Sequence, residues 1–321
     1  MRRSMRSVRT ISRNGCRKSG SDNGGPGAVG RFALAAFLGP MLLGAASLTI
    51  DHVTVAGADL KSMQARLAAV GIRSQYGGPH QNHATEMALV SFPDGSYLEL
   101  IAIQPHADPE AVRAHAWGTR MTGNFGPCAW AVRPEDMAGE IRRLRAAGVT
   151  VGEPHRSGRS LPDGTRLDWE TAQVGAEPNG TFFPFLIHDF TPRPKRAYIA
   201  GKPTTRDFTG VAKVVIAVRN LDDAVRRFRQ AFGLPEPIKQ VDSAFGAQLA
   251  LLGGIPVVLA APLNADSWLA ERLAQASEGP CAFLLKVQRR GPHKVTATTR
   301  WFGIDISWFD SAVLGWRLGF E

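Results

Sequence analysis

The hydrophobic pattern of residues 48–103 predicts a strand, a helix and a hairpin in that order. Apolar and polar residues alternate from 48 to 55, as they do in a strand whose two faces meet different surroundings. Asp59 is placed to cap a helix with one apolar stripe, and Gly71 stands where that helix ends. Two apolar runs then flank residues 93–95, Pro-Asp-Gly, whose types favour a tight turn between antiparallel strands.

The alternation also assigns side chains to the two faces of this unit. The helix is predicted to cover four apolar side chains: Val53, Val55, Leu98 and Leu100. The opposite face of the first and last strands then carries a polar set: His52, Thr54, Tyr97 and Glu99. Ile50 is predicted to lie on this face as well. We expect this open polar face to be the working surface of the protein.

The strand and helix pattern occurs three times. The copies begin near His52, Cys128 and Lys213, and each ends in a glycine 19 or 20 residues later. Strand-forming stretches follow the later copies: 166–174, 181–187, 247–252 and 255–260. This repetition predicts an α+β protein with four strand–helix–strands modules, paired in two halves.

The order of the modules predicts the domain limits. The two domains are expected at 48–190 and 209–321, and the Pro-, Lys- and Arg-rich stretch 191–208 is expected to be a linker. The fourth module is predicted to be degenerate, because the QRRGPHKV segment after Val287 is too short and too rich in Gly and Pro for a helix.

The net charge of +10 does not indicate a nucleic-acid-binding surface. Residues 1–31 hold eight Lys or Arg against a single acidic residue, so the rest of the chain is nearly balanced. A composition of 44% hydrophobic and 21% charged residues excludes disorder of the whole chain. The three cysteines form no paired framework and no CxxC motif.

Residues 1–47 are predicted to be a disordered basic extension that includes an apolar segment at 32–47. This segment has the length of a signal peptide, but a Gly-Pro pair at 39–40 interrupts it, and we expect no stable membrane insertion. We favour an upstream extension, with Met41 as the initiator, and a cytoplasmic protein. The alternative is an exported protein with 32–47 as its signal.

The sequence has a histidine early in the first strand and a glutamate in a YLEL strand. With the phrases IDHVTVAG, GGPH and DGSYLELIA, it resembles the vicinal oxygen chelate superfamily and its glyoxalase-like group. The resemblance implies two tandem glyoxalase-like domains, each of paired βαβββ modules that form a cupped mixed sheet around a small-molecule pocket. It also implies a divalent metal, Zn, Fe, Mn or Ni, that chelates substrate oxygens. His52 and Glu99 match the metal-ligand positions of the family.

The second module departs from this pattern. The counterpart of Glu99 falls near Pro184 and Phe185, where no carboxylate is available, and the counterpart of His52 is Cys128. Cys128 is either a third metal ligand or a small packed residue. His52 and Glu99 are either metal ligands or a pair joined by a hydrogen bond.

A loop of glycine, histidine and asparagine adds further candidates. His80, more than His83, is expected to close over the pocket and to move a proton, with Glu99 as the second catalytic residue. Four residues are predicted to bind the substrate: Thr54, His80, Thr85 and Tyr97.

Two functions are compatible with these observations. The first is an enzyme of the lyase, isomerase or dioxygenase type that acts on a small carbonyl- or enol-containing substrate. The second is a protein that binds or sequesters a small molecule without chemistry. The incomplete set of metal ligands and the apolar FPFLI segment support this second function. Because paired-module proteins often associate through their sheets, we also expect a homodimer.

Overall fold

The computed structural model describes residues 48–161, 164–288 and 293–321. These residues form two eight-stranded mixed sheets. The first has the order β2-β3-β4-β1-β5-β8-β7-β6 and contains β1 (Ile50–Gly57), β2 (Gln75–Pro79), β3 (Thr85–Ser91), β4 (Tyr97–Ile103), β5 (Gly126–Val132), β6 (His155–Ser160), β7 (Arg166–Ala172) and β8 (Phe185–Asp189). The second has the order β10-β11-β12-β9-β13-β16-β15-β14 and contains β9 (Phe208–Ala217), β10 (Ile238–Asp242), β11 (Ala247–Leu252), β12 (Val257–Pro262), β13 (Gly279–Val287), β14 (Val295–Trp301), β15 (Ile304–Phe309) and β16 (Arg317–Phe320).

The described helices alternate with these strands. They are α1 (Leu60–Ala69), α2 (Pro109–Ala114), α3 (Gly118–Thr122), α4 (Met137–Ala146), α5 (Arg193–Ala197), α6 (Leu221–Phe232), α7 (Trp268–Gln275) and α8 (Ser311–Leu314). α1 and α6 each begin at a side-chain cap: the side chains of Asp59 and Asn220 accept hydrogen bonds from backbone N–H groups three residues later. No described helix is long and apolar enough to cross a membrane.

Each sheet consists of two modules joined at its centre. In the first sheet β1 pairs in parallel with β4 and antiparallel with β5, and β5 pairs in parallel with β8. The second sheet repeats this arrangement with β9, β12, β13 and β16. The structure therefore confirms two tandem glyoxalase-like sheets of paired modules. The exact domain limits, with 191–208 as a linker, stay predictions, and those for residues 1–47 lie outside the described residues.

The face assignment is confirmed, with one correction. Val53 and Leu100 belong to the large apolar core on the helix side of the sheet, whereas His52 and Glu99 line a cavity on the other side. The prediction for Ile50 was wrong: it is buried in the apolar core with Val53. The pairing of β1 with β5 shifts register between Ile50 and His52, and this irregularity interrupts the alternation of side chains.

Aromatic side chains pack the inner surface of the second sheet. The Phe245 ring contacts those of Trp301 and Trp308, with centroids 4.9 Å and 5.2 Å away, and Trp268 packs against the same cluster. The Arg317 guanidinium lies over the Trp268 ring. These side chains occupy the space that, in the first sheet, is a cavity.

Candidate active site

A cavity of about 360 Å³ lies on the inner surface of the first sheet, a volume that suits a small metabolite. Its wall comes from both modules, from the loop after β2 and from α5. Its lining includes His52, His80, Met87, Tyr97, Glu99, Ile101, His115, Trp117, Arg159, Trp169, Asn179, Phe185, Ile187 and Arg196. The lining combines polar and apolar side chains.

His52 is held by the residue that precedes it. Its Nδ1 lies 2.6 Å from Oδ1 of Asp51, a fully buried carboxylate. The ring stacks on Tyr97, with centroids 4.8 Å apart and planes 1° from parallel, and meets the edge of Phe185 at 5.3 Å. These contacts fix the orientation of the imidazole in the cavity wall.

The protonation state of Asp51 decides which nitrogen of His52 carries the proton. Burial by itself would raise the pKa of Asp51, but Arg196 and Arg193 hold it well below its usual range. An ionised carboxylate can only accept hydrogen bonds, so Nδ1 of His52 must be the donor. In the neutral ring, Nε2 is therefore unprotonated and is the nitrogen available to a molecule in the cavity.

The two arginines come from α5 and join several elements of the site. Arg196 donates to Asp51 Oδ2 at 2.9 Å and to the Tyr97 hydroxyl at 2.6 Å, and it also pairs with Asp189. Arg193 donates to Asp51 and to the backbone oxygen of Gly95 in the β3–β4 turn. Buried Arg196 and half-buried Arg193 thus meet two carboxylates, and the network is close to electrically neutral.

Glu99 lies one strand away from His52 on the same face. β1 and β4 are adjacent, with His52 opposite Tyr97 and Thr54 opposite Glu99. The Thr54 hydroxyl donates to Glu99 Oε2 at 3.3 Å. Among the described residues Glu99 forms no salt bridge, so its carboxylate is available as a base or ligand.

His80 is anchored by the loop that was predicted to cover the pocket. Its Nδ1 lies 2.7 Å from the hydroxyl of Thr85. The side-chain amide of Asn82 holds that threonine in place, because it donates to the Thr85 hydroxyl and accepts from the Thr85 backbone N–H. Burial lowers the pKa of His80, the Glu99 charge opposes this shift, and Arg159 adds to it. His80 is therefore a neutral imidazole at pH 7, beside Glu99.

His115, which sequence analysis did not select, also lines the cavity and interacts with His80 and Glu99. The backbone N–H of Trp117 donates to His115 Nδ1 at 3.1 Å, so the proton of the neutral ring is on Nε2. Burial and the neighbouring His80 lower the pKa of His115, while Glu99 opposes the shift. His115 can thus donate a hydrogen bond into the cavity through Nε2–H.

Several predicted site residues do not line the cavity. Thr54 and Thr85 are fully buried, and they contact Glu99 and His80 rather than the open space. His83 is exposed, with a φ of 55°. Cys128 packs among Trp117, Met121 and Phe185, and burial raises the pKa of its thiol to about 12, as expected for a small packed residue.

A protein-family model described as a glyoxalase-like domain matches residues 50–232. The chain belongs to this glyoxalase-like family. The match confirms the glyoxalase-like domain that the sequence motifs had indicated.

One solved structure shares the fold of this glyoxalase-like protein over most of its length. The crystal structure of a hypothetical protein from Staphylococcus aureus aligns with a TM-score of 0.58 and 14% identity, over 85% of this chain and 99% of that one. Methylmalonyl-CoA epimerase from Mycobacterium tuberculosis aligns with a TM-score of 0.33 and 20% identity, over 36% of this chain and 89% of that one. No curated protein matches the sequence significantly.

The metal that the family implies needs more ligands than this glyoxalase-like site offers. Within the parts of the chain that the structure describes, no three His, Cys, Asp or Glu side chains are grouped so that they could hold a metal ion. His52 Nε2 and Glu99 would supply two ligands, whereas a catalytic zinc usually has three from the protein. The side chains do not fit a complete metal centre, and we derive no step through one.

Sequence reasoning missed the residues that orient the site. Asp51 directly precedes His52, so its sequence position was a usable signal. Arg196 and Arg159 gave no comparable signal, because they join the site from α5 and from the edge strand β6. His115 lies beyond α2, in a stretch that was predicted only as a helix.

Proposed function

We propose that this glyoxalase-like protein is an enzyme that moves a proton on a small carbonyl- or enol-containing substrate in the cavity of the first sheet. One observation carries the proposal: buried, ionised Asp51 accepts the Nδ1–H of His52 and leaves Nε2 unprotonated on the cavity wall. A carboxylate that fixes an imidazole in this way is the usual support of a general base.

In the proposed step, His52 Nε2 removes a proton from the carbon next to the substrate carbonyl. The electron pair of the broken C–H bond forms a C=C bond, and the carbonyl π electrons move onto oxygen to give an enolate. The Nε2–H group of His115 donates a hydrogen bond to that oxygen. Return of a proton to the opposite face of that carbon gives the product with inverted configuration, so atoms and charge balance without a co-reactant.

Glu99 and His80 complete the proton transfer. Glu99 is the second group that can accept a proton, and His80 lies beside it as a neutral imidazole that can pass a proton on. The apolar lining around Phe185 and Ile187 limits water, which strengthens these interactions in the cavity.

Deuterium exchange tests the proposal without knowledge of the natural substrate. The wild-type protein is incubated in D₂O with a panel of small ketones, 1,2-dicarbonyl compounds and 2-oxo acids, and incorporation of deuterium next to the carbonyl is followed by NMR. We expect catalysed exchange for at least one class, with a loss of about 10²-fold or more in His52→Asn and in Glu99→Gln.

Two matched variants provide controls. His83→Asn changes an exposed loop histidine, and asparagine tolerates its positive φ. Glu86→Gln changes a glutamate of β3 that bonds to Tyr76 outside the cavity. Both should exchange like the wild type. Tight binding with no exchange across the panel would favour the sequestering function instead, and neither binding nor exchange would reject both.

A further inference from the structure

The cavity is lined by a buried arginine, Arg159, that forms no salt bridge among the described residues. Arg159 is 5% exposed and lies in β6, the strand at one end of the first sheet. Its NH1 donates to the backbone oxygen of Gly77 at 2.8 Å. Since Gly77 belongs to β2, at the other end of the sheet, this bond joins the two edge strands beside the cavity.

The surrounding charges differ from those at the other arginines of the site. Arg193 and Arg196 pair with Asp51 and Asp189. Arg159 appears in no salt bridge among the described residues, and its hydrogen bond to Gly77 is to a neutral group. Burial lowers the pKa of Arg159, and the Glu99 carboxylate opposes this shift without a salt bridge to the guanidinium. An anion in direct contact with the guanidinium would reduce the cost of burying it.

A second observation points to a polar ligand in the same cavity. Asn179 lines the cavity, and its buried Oδ1 has no hydrogen-bond partner among the described residues. Because an amide oxygen only accepts, it would pair with a hydrogen-bond donor of a bound molecule and not with the carboxylate of that molecule. The indole N–H of Trp117 donates to the backbone oxygen of Asn179 and fixes the position of this residue.

The shape of the cavity defines the remainder of the ligand. Its lining includes flat or branched apolar side chains, among them Ile101, Trp117 and Phe185. The fork geometry of a guanidinium matches a carboxylate, which it can bind with two parallel hydrogen bonds. A molecule with a carboxylate at one end and a flat apolar group at the other would satisfy both parts of the cavity.

We propose that Arg159 binds the carboxylate of the substrate, and that the substrate is a small oxo acid with a planar apolar group. This inference rests on the proposed function, because it places the reacting carbonyl between the Arg159 anchor and the bases His52 and Glu99. Arg159 is then the residue that determines specificity for acids over neutral ketones.

The test uses benzoylformate and its neutral methyl ester as probes. Benzoylformate has no hydrogen on the carbon next to its ketone, so its binding is measured without proton transfer. Calorimetric titration of the wild type should show that the acid binds at least about tenfold more tightly than the ester. Arg159→Gln should bind the acid no better than the ester, and Arg159→Lys should give an intermediate preference, since lysine keeps the charge but loses the fork.

Arg156→Gln is the matched control, because Arg156 is an exposed arginine of the same strand that packs over Phe190. It should bind both probes like the wild type. A wild type that binds neither probe, or does not prefer the acid, overturns the proposal, as does an equal loss in Arg156→Gln. If Arg159→Gln fails to fold, the wild-type preference and Arg159→Lys still decide.

The outcomes separate this inference from the proposed function. A clear preference for the acid together with no deuterium exchange on any 2-oxo acid rejects the proposed function but supports Arg159 as a carboxylate-binding residue. Deuterium exchange on neutral ketones without a preference for the acid rejects this role of Arg159 but supports the proposed proton transfer.

Discussion

The substitution Asp51→Asn tests the central network of the site. Asp51 is fully buried and accepts hydrogen bonds from His52, Arg193 and Arg196. Asparagine has nearly the same shape but no charge, so the variant removes the charge with little change in volume. Buried Arg196 and half-buried Arg193 would then share only the carboxylate of Asp189.

Removal of one partner from a buried ion pair leaves an uncompensated charge, and the expected loss of unfolding free energy at pH 7 is about 3–5 kcal/mol. This is a large part of the 5–15 kcal/mol typical of a folded domain. The amide also no longer forces the proton of His52 onto Nδ1. We therefore expect the deuterium-exchange rate of the folded variant to fall by about 10- to 100-fold or more.

The pH dependence has a defined sign. The pKa of Asp51 in the folded protein lies well below its usual range, because Arg196 and Arg193 outweigh burial. As pH falls below about 5, the unfolded chain binds a proton at this position, around a pKa of about 3.9, while the folded protein does not. The stabilisation is thus complete above that range and declines as pH falls. The difference in unfolding free energy between the wild type and Asp51→Asn should therefore decrease from pH 7 to pH 3.

Urea unfolding at pH 7, 5, 4 and 3, with parallel exchange measurements, provides the assay. Asp168→Asn is the control, because Asp168 pairs with Arg166 at 2.8 Å on the surface. It should cost less than about 1 kcal/mol and leave exchange unchanged. An Asp51→Asn protein with wild-type stability and exchange would refute the reasoning, and so would a stability difference that stays constant on acidification.

The remaining predictions concern the metal, the imidazoles and the second sheet. Because the described residues offer no group of three metal ligands, elemental analysis after incubation with Zn, Fe, Mn or Ni should find no stoichiometric metal; one equivalent that His52→Ala and Glu99→Ala both lose would reject this prediction. Because burial lowers the pKa of His80 and His115, the exchange rate should begin to fall only below about pH 6.5, and a decline that starts above pH 7 in the pH–rate profile would contradict it. Trp301→Ala should lower the free energy of unfolding by about 3–5 kcal/mol in denaturant titrations. Because the ring packs in the second sheet, the deuterium-exchange rate should not change. A loss of exchange in the folded variant would show that part of the site lies in the second sheet.

The amino-acid sequence alone determined the modules and their repetition. The helix caps at Asp59 and Asn220, the turn at 93–95 and the alternation in β4 all depend on residues close together in the chain. Local spacing therefore sufficed to predict paired modules, and to predict that His52 and Glu99 face away from the helix-covered core. For Cys128 it left two alternatives, a metal ligand or a small packed residue.

Only the tertiary structure decided how the site is oriented and charged. The register shift beside Ile50 depends on the pairing of β1 with β5, which no pattern within β1 reveals. Arg196 contacts Asp51 from 145 residues further along the chain, and Arg159 meets Gly77 across a separation of 82 residues. Hydrogen-bond partners at such separations are fixed when the sheet curls and brings its edge strands and α5 together. Local periodicity determines which face a side chain occupies, and chain folding determines which charge it meets there.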